Sequence, residues 1–238
     1  MSLNADGQPF AAAEDLALAM QRLVNIMTPG TNNNPFVVNL SLGGDLFTTA
    51  CPNAFPLPSN SVVQPLTSSI GMLKNMGVPV IAATGNEGRS NPSTSISWPA
   101  CVPNVIKVSS VINDGIGNTR HPDANLANPS AFPLEQFWLA PGGLNPTVPT
   151  VGSGIQSSIS SSSSPIQTGI LVGTSMAAPH IAGLYAVLKA VDPNFGVDGL
   201  SQYINDVVSV PVTVDVLCTG SLTTLCPTTF RRPRWPGP

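Results

Sequence analysis

Two short, strongly apolar runs on either side of a helix-length segment constrain this chain more than any other feature. The first, Phe36-Val37-Val38-Asn39-Leu40-Ser41-Leu42, stops at Gly43-Gly44. The second, Val78-Pro79-Val80-Ile81-Ala82-Ala83, stops at Gly85-Asn86-Glu87-Gly88. Apolar runs of this length, bounded by turn residues, read as buried strands. Between them, residues 65–76 form a predicted helix that opens at Pro65 and ends at Gly77. Proline suits a first turn, whose N–H has no intrahelical partner, and glycine suits a helix end. Residues 104–111 give a third strand, and residues 11–27 place Leu16, Met20, Leu23, Val24 and Met27 at helical spacing. Strand, helix, strand in this order predicts an α/β fold built on a parallel sheet with crossover helices. In such sheets functional groups gather beyond the carboxyl ends of the strands. Gly43-Gly44 and Gly85-Asn86 fall at those ends.

Composition excludes several function classes. Only 9% of the 238 residues are charged and the formal net charge is -3, so there is no basic face for nucleic acid. The most apolar stretch, residues 181–191, contains Lys189 and is too short to span a bilayer, so no membrane partner is expected. The 21 glycines and 25 prolines point to many turns and long loops. The four cysteines, Cys51, Cys101, Cys218 and Cys226, include no C-x-x-C pair, and with two histidines a zinc site is not expected. They permit three pairings or none; the simplest joins Cys218 to Cys226 and leaves Cys51 with Cys101. Disulfides would place the protein outside the reducing cytosol, secreted or extracytoplasmic. Residues 1–10 show no basic start followed by an apolar run, so the expectation is that the natural start lies upstream.

Residues 113–164 read as mostly loop, with a serine-rich run at 157–164. Gly173-Thr174-Ser175-Met176-Ala177-Ala178-Pro179-His180 then opens a long apolar helix to about residue 190. From residue 209 the pattern weakens, and residues 231–238 read as a disordered tail. The expected division is a domain over 1–208 and an extension over 209–238. Ser175 lies at a helix start, where unpaired N–H groups and the helix dipole favour negative charge. Taken alone it is explained as a capping serine, and Asn86 alone as a turn residue beside Gly85.

Three segments change that balance. Gly173 to His180 (GTSMAAPH) resembles the nucleophile motif of the subtilisin-like serine peptidases, the subtilase family. Val80 to Gly88 (VIAATGNEG) is similar to that family's oxyanion segment, and Asn39 to Gly44 (NLSLGG) to the strand that walls its primary pocket. All three stand in family order. The resemblance implies an α/β fold with a parallel sheet and helices on both faces, its N-terminal part missing here. It implies Ser175 as nucleophile, with the Ser175 N–H and the Asn86 amide stabilising a tetrahedral oxyanion. It further implies that Ser41, Leu42, Gly43, Ala83, Thr84 and Gly85 flank the pocket and pair with an extended peptide or protein substrate. Their small and apolar character predicts room for sizeable apolar side chains at the cleaved position. No cofactor is expected. Calcium is frequent in the family, but no Asp/Asn cluster here has ligand spacing.

A serine hydroxyl needs a base and the base an orienting acid. His180 follows Ser175 by five residues on one helix, a rotation of about 140° and a rise of about 7.5 Å, so it cannot face the Ser175 hydroxyl. His121 lacks the setting of the family's catalytic histidine and reads as a solvated loop residue. In subtilisins the chain order is Asp, His, Ser, and neither D-[ST]-G nor H-G-T occurs in this sequence. The expectation is therefore a truncated peptidase domain, inactive alone, whose missing N-terminal segment is its natural partner and whose loss exposes strand edges. A sedolisin-like enzyme is disfavoured because that family carries aspartate where Asn86 stands. An α/β-hydrolase, suggested by the partial resemblance of Gly173-Thr174-Ser175-Met176-Ala177 to a G-x-S-x-G elbow, needs an acid and a histidine downstream, and the only histidine there is His180. A non-catalytic relative that binds peptide or a partner stays open.

Overall fold

The computed structural model describes residues 2–3, 9–10, 13–27, 37–51, 63–88, 95–112, 121, 123–126, 132, 136–143, 154–159, 167–217 and 225–234. Along the chain these form β1 (Ser2–Leu3), β2 (Pro9–Phe10), α1 (Ala13–Ile26), β3 (Val38–Leu40), β4 (Leu46–Phe47), α2 (Val63–Asn75) and β5 (Val80–Ala83). Then follow β6 (Ile96–Ser97), β7 (Ile106–Val111), β8 (Phe137–Pro141), β9 (Ile155–Ile159), β10 (Gln167–Leu171) and α3 (Thr174–Val191). The last elements are α4 (Val197–Tyr203), running on into a π-helical turn at Ile204–Val208, β11 (Ser209–Leu217) and β12 (Leu225–Pro233).

Among the described residues the main sheet has the order β11-β12-β8-β7-β5-β3. All its pairings are parallel except β11 with β12. Alternation along the strands sorts side chains to two faces. Ile81, Ala83, Ile106, Val108, Trp138 and Ala140 pack against Ala177, Ala178, Ile181 and Tyr185 of α3 and Val197 and Leu200 of α4. Val80, Ala82, Val111, Phe137 and Leu139 pack on the opposite face with Leu16 and Met20 of α1 and Leu66, Ile70 and Leu73 of α2. Both faces are covered, which is why β5 reads as an unbroken apolar run and why every residue of β5 and β7 is buried, Lys107, Ser109 and Ser110 included. This is the α/β arrangement with helices on both faces that the sequence predicts.

Three readings change. The stretch expected to be mostly loop contains β8, a central strand between β7 and β12. Its Phe-Trp-Leu-Ala core is buried on both faces, so it has no polar alternation to announce it. The start of the serine-rich run pairs instead as β9 with β10, Ser157 facing Gly169. Residues 209–217 and 225–233, expected as an extension ending in a disordered tail, form a hairpin that joins the sheet through Arg231 opposite Trp138. Phe230 anchors it, 1% exposed with its ring 5.0 Å from that of Phe137. Of the expected bridges, Cys51–Cys101 forms, with Cα atoms 5.3 Å apart. Cys218, and with it the pairing to Cys226, lies outside the described residues, as do 160–164 and 235–238.

Candidate active site

Ser175 is the second residue of α3, and Gly173 precedes the helix at φ 126. Pro179 stands one turn further on and has no N–H to give the Ser175 carbonyl. That carbonyl is satisfied from outside the helix: the Ser41 hydroxyl donates to it at 2.7 Å, and Asn39 Nδ2 supports Ser41 Oγ at 3.0 Å. The Ser175 hydroxyl in turn donates a long bond, 3.4 Å, to the Ser41 carbonyl. The Gly173 carbonyl accepts from the Met176 and Ala177 N–H groups, while the Ser175 N–H makes no hydrogen bond among the described residues. This is the orphan donor that a helix start provides.

Asn86 stands at the carboxyl end of β5, exposed, on a loop that reaches the start of α3. Its Oδ1 accepts from the Thr174 N–H at 2.9 Å and from the Thr174 hydroxyl at 3.1 Å, and Thr174 Oγ1 accepts from the Gly85 N–H at 3.1 Å. A backbone N–H can only donate, so the bond from Thr174 fixes which end of the amide is oxygen. Nδ2 is thereby left as a donor with no acceptor among the described residues.

Ser175 and Asn86 line one cavity of about 190 Å³, together with Leu42, Gly43, Gly44, Ala83, Gly85, Glu87, Ser97 and Thr174. Of the residues the motifs single out, five of the six pocket candidates fall at this place: Leu42, Gly43, Ala83 and Gly85 in the lining and Ser41 against Ser175. Thr84 does not. It is fully buried, its hydroxyl donating to the Asn125 carbonyl and its carbonyl accepting from the Ser97 N–H, so it supports the wall from behind. The walls are also less apolar than the motifs suggest, since Glu87 and Ser97 join them. Gly44, Glu87 and Thr174 sit inside the motifs and were within reach of the sequence. Ser97, which bonds Gly44 through both N–H and C=O, has no local signal. A second groove, about 270 Å³, lies on another side of Ser175 and is lined by Ile155, Ser157, Met176, Pro179 and His180.

Neither histidine is bonded to Ser175. His180 lines the second groove, but its Nδ1 is held 2.8 Å from the Met176 carbonyl, one turn back along α3. His121, which the sequence suggests is solvated, is instead 1% exposed and organises a turn, its Nδ1 accepting from the Asp123 N–H at 3.3 Å and its carbonyl from the Ala124 N–H at 3.0 Å. Among the described residues no three His, Cys, Asp or Glu side chains group as a metal site, and no helix is long and apolar enough to cross a membrane.

The sequence model of the Subtilase family matches residues 1–214. Subtilisin of Bacillus pumilus is 31% identical over 173 residues, which cover 73% of this chain and 49% of that protein. Subtilisin E of Bacillus subtilis (strain 168) is also 31% identical over 173 residues, covering 73% of this chain and 35% of that protein. The chain thus spans half or less of the curated relatives it matches. Among solved structures, a protease from Pseudoalteromonas arctica PAMC 21717 superposes with a TM-score of 0.63 at 24% identity, covering 85% of this chain and 53% of that one. Sphericase superposes with a TM-score of 0.57 at 23% identity, covering 85% and 57%. These two likenesses are of fold.

Proposed function

The chain belongs to the subtilase family, and from that premise we propose that Ser175 is the nucleophile of a serine endopeptidase site whose oxyanion is held by the Ser175 N–H and Asn86 Nδ2. One observation carries the reading. The bond from the Thr174 N–H to Asn86 Oδ1, 2.9 Å, leaves Nδ2 as the unused donor of an amide whose residue lines the same cavity as Ser175. Two donors aimed at one developing oxyanion are what acyl transfer requires. Ser175 Oγ bonds to the carbonyl carbon as its proton passes to a base, and the amine leaves with a proton to give an acyl-enzyme that water hydrolyses. An extended peptide runs along the backbone of Ser41, Leu42 and Gly43 on one side and Ala83, Thr84 and Gly85 on the other. The chemistry uses no cofactor. The Cys51–Cys101 bridge supports a place outside the reducing cytosol.

The base and its orienting acid are assigned to polypeptide outside this chain, a segment equivalent to the N-terminal part of the relatives' domain. What supports this is that neither histidine is bonded to Ser175 and that the chain spans 49% and 35% of two relatives. Hydrolysis of an activated peptide ester by the purified chain tests the reading. The expected rate is slow, roughly 10³–10⁴ over water for a site short of its triad. It should fall by about 10² or more in Asn86→Leu, a magnitude taken over from the oxyanion asparagine of subtilisin itself. Efficient turnover abolished by Ser175→Ala would place the base inside the chain, and a rate equal to buffer would sink the oxyanion site. The second reading, a relative that binds peptide without cutting, is favoured by the engagement of both histidines elsewhere. Labelling of Ser175 by a fluorophosphonate, which needs an activated serine, separates the two when the chain is joined to a segment that supplies the base: labelling supports the peptidase, and none supports the binding relative.

A further inference from the structure

Asn125 lies outside every motif that defines the site, yet its side chain and backbone hold the loop that carries Asn86. It is 2% exposed. Its Oδ1 accepts from the Glu87 N–H at 3.0 Å, and its Nδ2 donates to the Glu87 carboxylate at 2.7 Å and to the Thr84 carbonyl at 3.0 Å. Its own N–H donates to the Gly85 carbonyl at 3.1 Å, and its carbonyl accepts the hydroxyls of Thr84 and Ser109 at 2.8 and 2.7 Å. The residue before Asn86, the residue after it and the one before Gly85 are thus all bonded to one buried side chain or its backbone. Each side-chain partner has a fixed sense as donor or acceptor, so the amide fits in one orientation only. The fit is also tight. Gly85 has φ 102, and a Cβ there would stand 2.5 Å from Asn125 Nδ2.

We propose that Asn125 is the positioning residue of the oxyanion amide: it does not touch the substrate, but fixes residues 84–88 so that Asn86 Nδ2 points at the reacting carbonyl. This rests on the assignment of Asn86 above. A preorganised donor stabilises the oxyanion without moving at the moment of reaction, and a donor on a loop free to move loses that advantage. Only a buried side chain with both donors and an acceptor can bind a carboxylate, a carbonyl and an N–H together, which Asn does and Asp or Ser does not.

Two measurements on the full chain decide it. The first is amide hydrogen exchange in Asn125→Asp and in the milder Asn125→Ser, with β7 amides as the control for folding. Expected is exchange at Glu87 and Gly88 faster by about 10-fold or more with Val108 unchanged, the signature of local opening. Unchanged protection at Glu87 and Gly88 overturns the proposal, as does equal loss throughout β7 in both variants. The second is a cycle with Asn86→Leu, read in peptide-ester hydrolysis. Asn125→Ser alone should lower kcat by about 10-fold or more with KM little changed, and should cost nothing further once Asn86 is replaced. Losses that multiply would show that Asn125 acts otherwise than through Asn86. If no variant, wild type included, exceeds buffer, the function reading has failed, and the exchange data still decide what Asn125 holds.

Discussion

Lys107 is the second residue of β7, 2% exposed, donating from Nζ to the Val105 carbonyl at 2.8 Å and sitting 5.9 Å from the centre of the Phe132 ring. Burial pushes its ammonium down from 10.5 to about 8. Below pH 8 the folded chain must bury the charged form; between 8 and 10.5 the unfolded chain holds a proton that the folded one has lost. Stability from this group therefore rises with pH across that window. Lys107→Met should stabilise the fold at pH 7 by up to about 3 kcal/mol, less what the Val105 bond and the Phe132 contact contribute, and the gain should shrink by about pH 10. Denaturant titrations at the two pH values check this; an equal effect at both would refute it. Gly173 is sensitive in another way. A Cβ there would stand 2.8 Å from Asn86 Oδ1, on a backbone at φ 126. Gly173→Ala is expected to displace Asn86 and lower ester hydrolysis by about 10², at a stability cost of roughly 1–3 kcal/mol. Wild-type kinetics in that variant would show that the amide tolerates the intrusion. The meeting of Ser175 and Asn86 at one cavity was legible in the sequence because each sits in a contiguous motif that folds locally into a strand end or helix start. The place of Asn125 was not, because its bonds to Thr84 and Glu87 reach far back along the chain, and no local pattern encodes them.

The elements show the same division between near and far. Helix α1 announces itself through periodicity, α2 through its proline start and glycine stop, β5 through an unbroken apolar run, and β7 through the β-branched Val105, Ile106, Val108 and Val111 around its polar residues. Strand β11 carried a signal too: Val210, Val212, Val214 and Val216 alternate with Pro211, Thr213 and Asp215, the period-2 pattern of a half-covered strand. Pro211 argues against a central position, and β11 is indeed at the edge of the sheet, where a missing N–H is tolerated. β8 is an apolar run like β5, but it stands alone in a stretch whose other residues read as loop, with no neighbouring helix-length segment to mark it as part of a strand-helix-strand unit. The hairpin's hold on the sheet depends on Phe230, which packs on Phe137 of β8. Phe230→Ala should cost about 3–5 kcal/mol, a loss typical of emptying a buried aromatic position. A shift in denaturation midpoint equivalent to less than about 1 kcal/mol would mean that the hairpin is a loosely attached appendage.

Across the whole molecule, α3 is apolar on both sides. One side meets β5, β7 and β8, while Pro179, Gly183, Val187 and Val191, spaced by four residues, face outward. Val187 is 63% exposed and Val191 81%. Beside it β3 ends the sheet with one edge unpaired among the described residues. An apolar helical stripe and a strand edge together make a surface that self-associates. Sedimentation of the chain alone should show concentration-dependent oligomers, and Val187→Glu with Val191→Glu should shift them toward monomer. A monodisperse wild-type monomer would contradict this. Finally, the sulfur link from Cys51 to Cys101 closes a covalent ring that contains α2, β5 and Asn86. Any one break of the backbone inside that ring leaves both pieces tethered, so a nicked molecule would migrate as intact on a denaturing gel and separate into two bands only once a reducing agent is added.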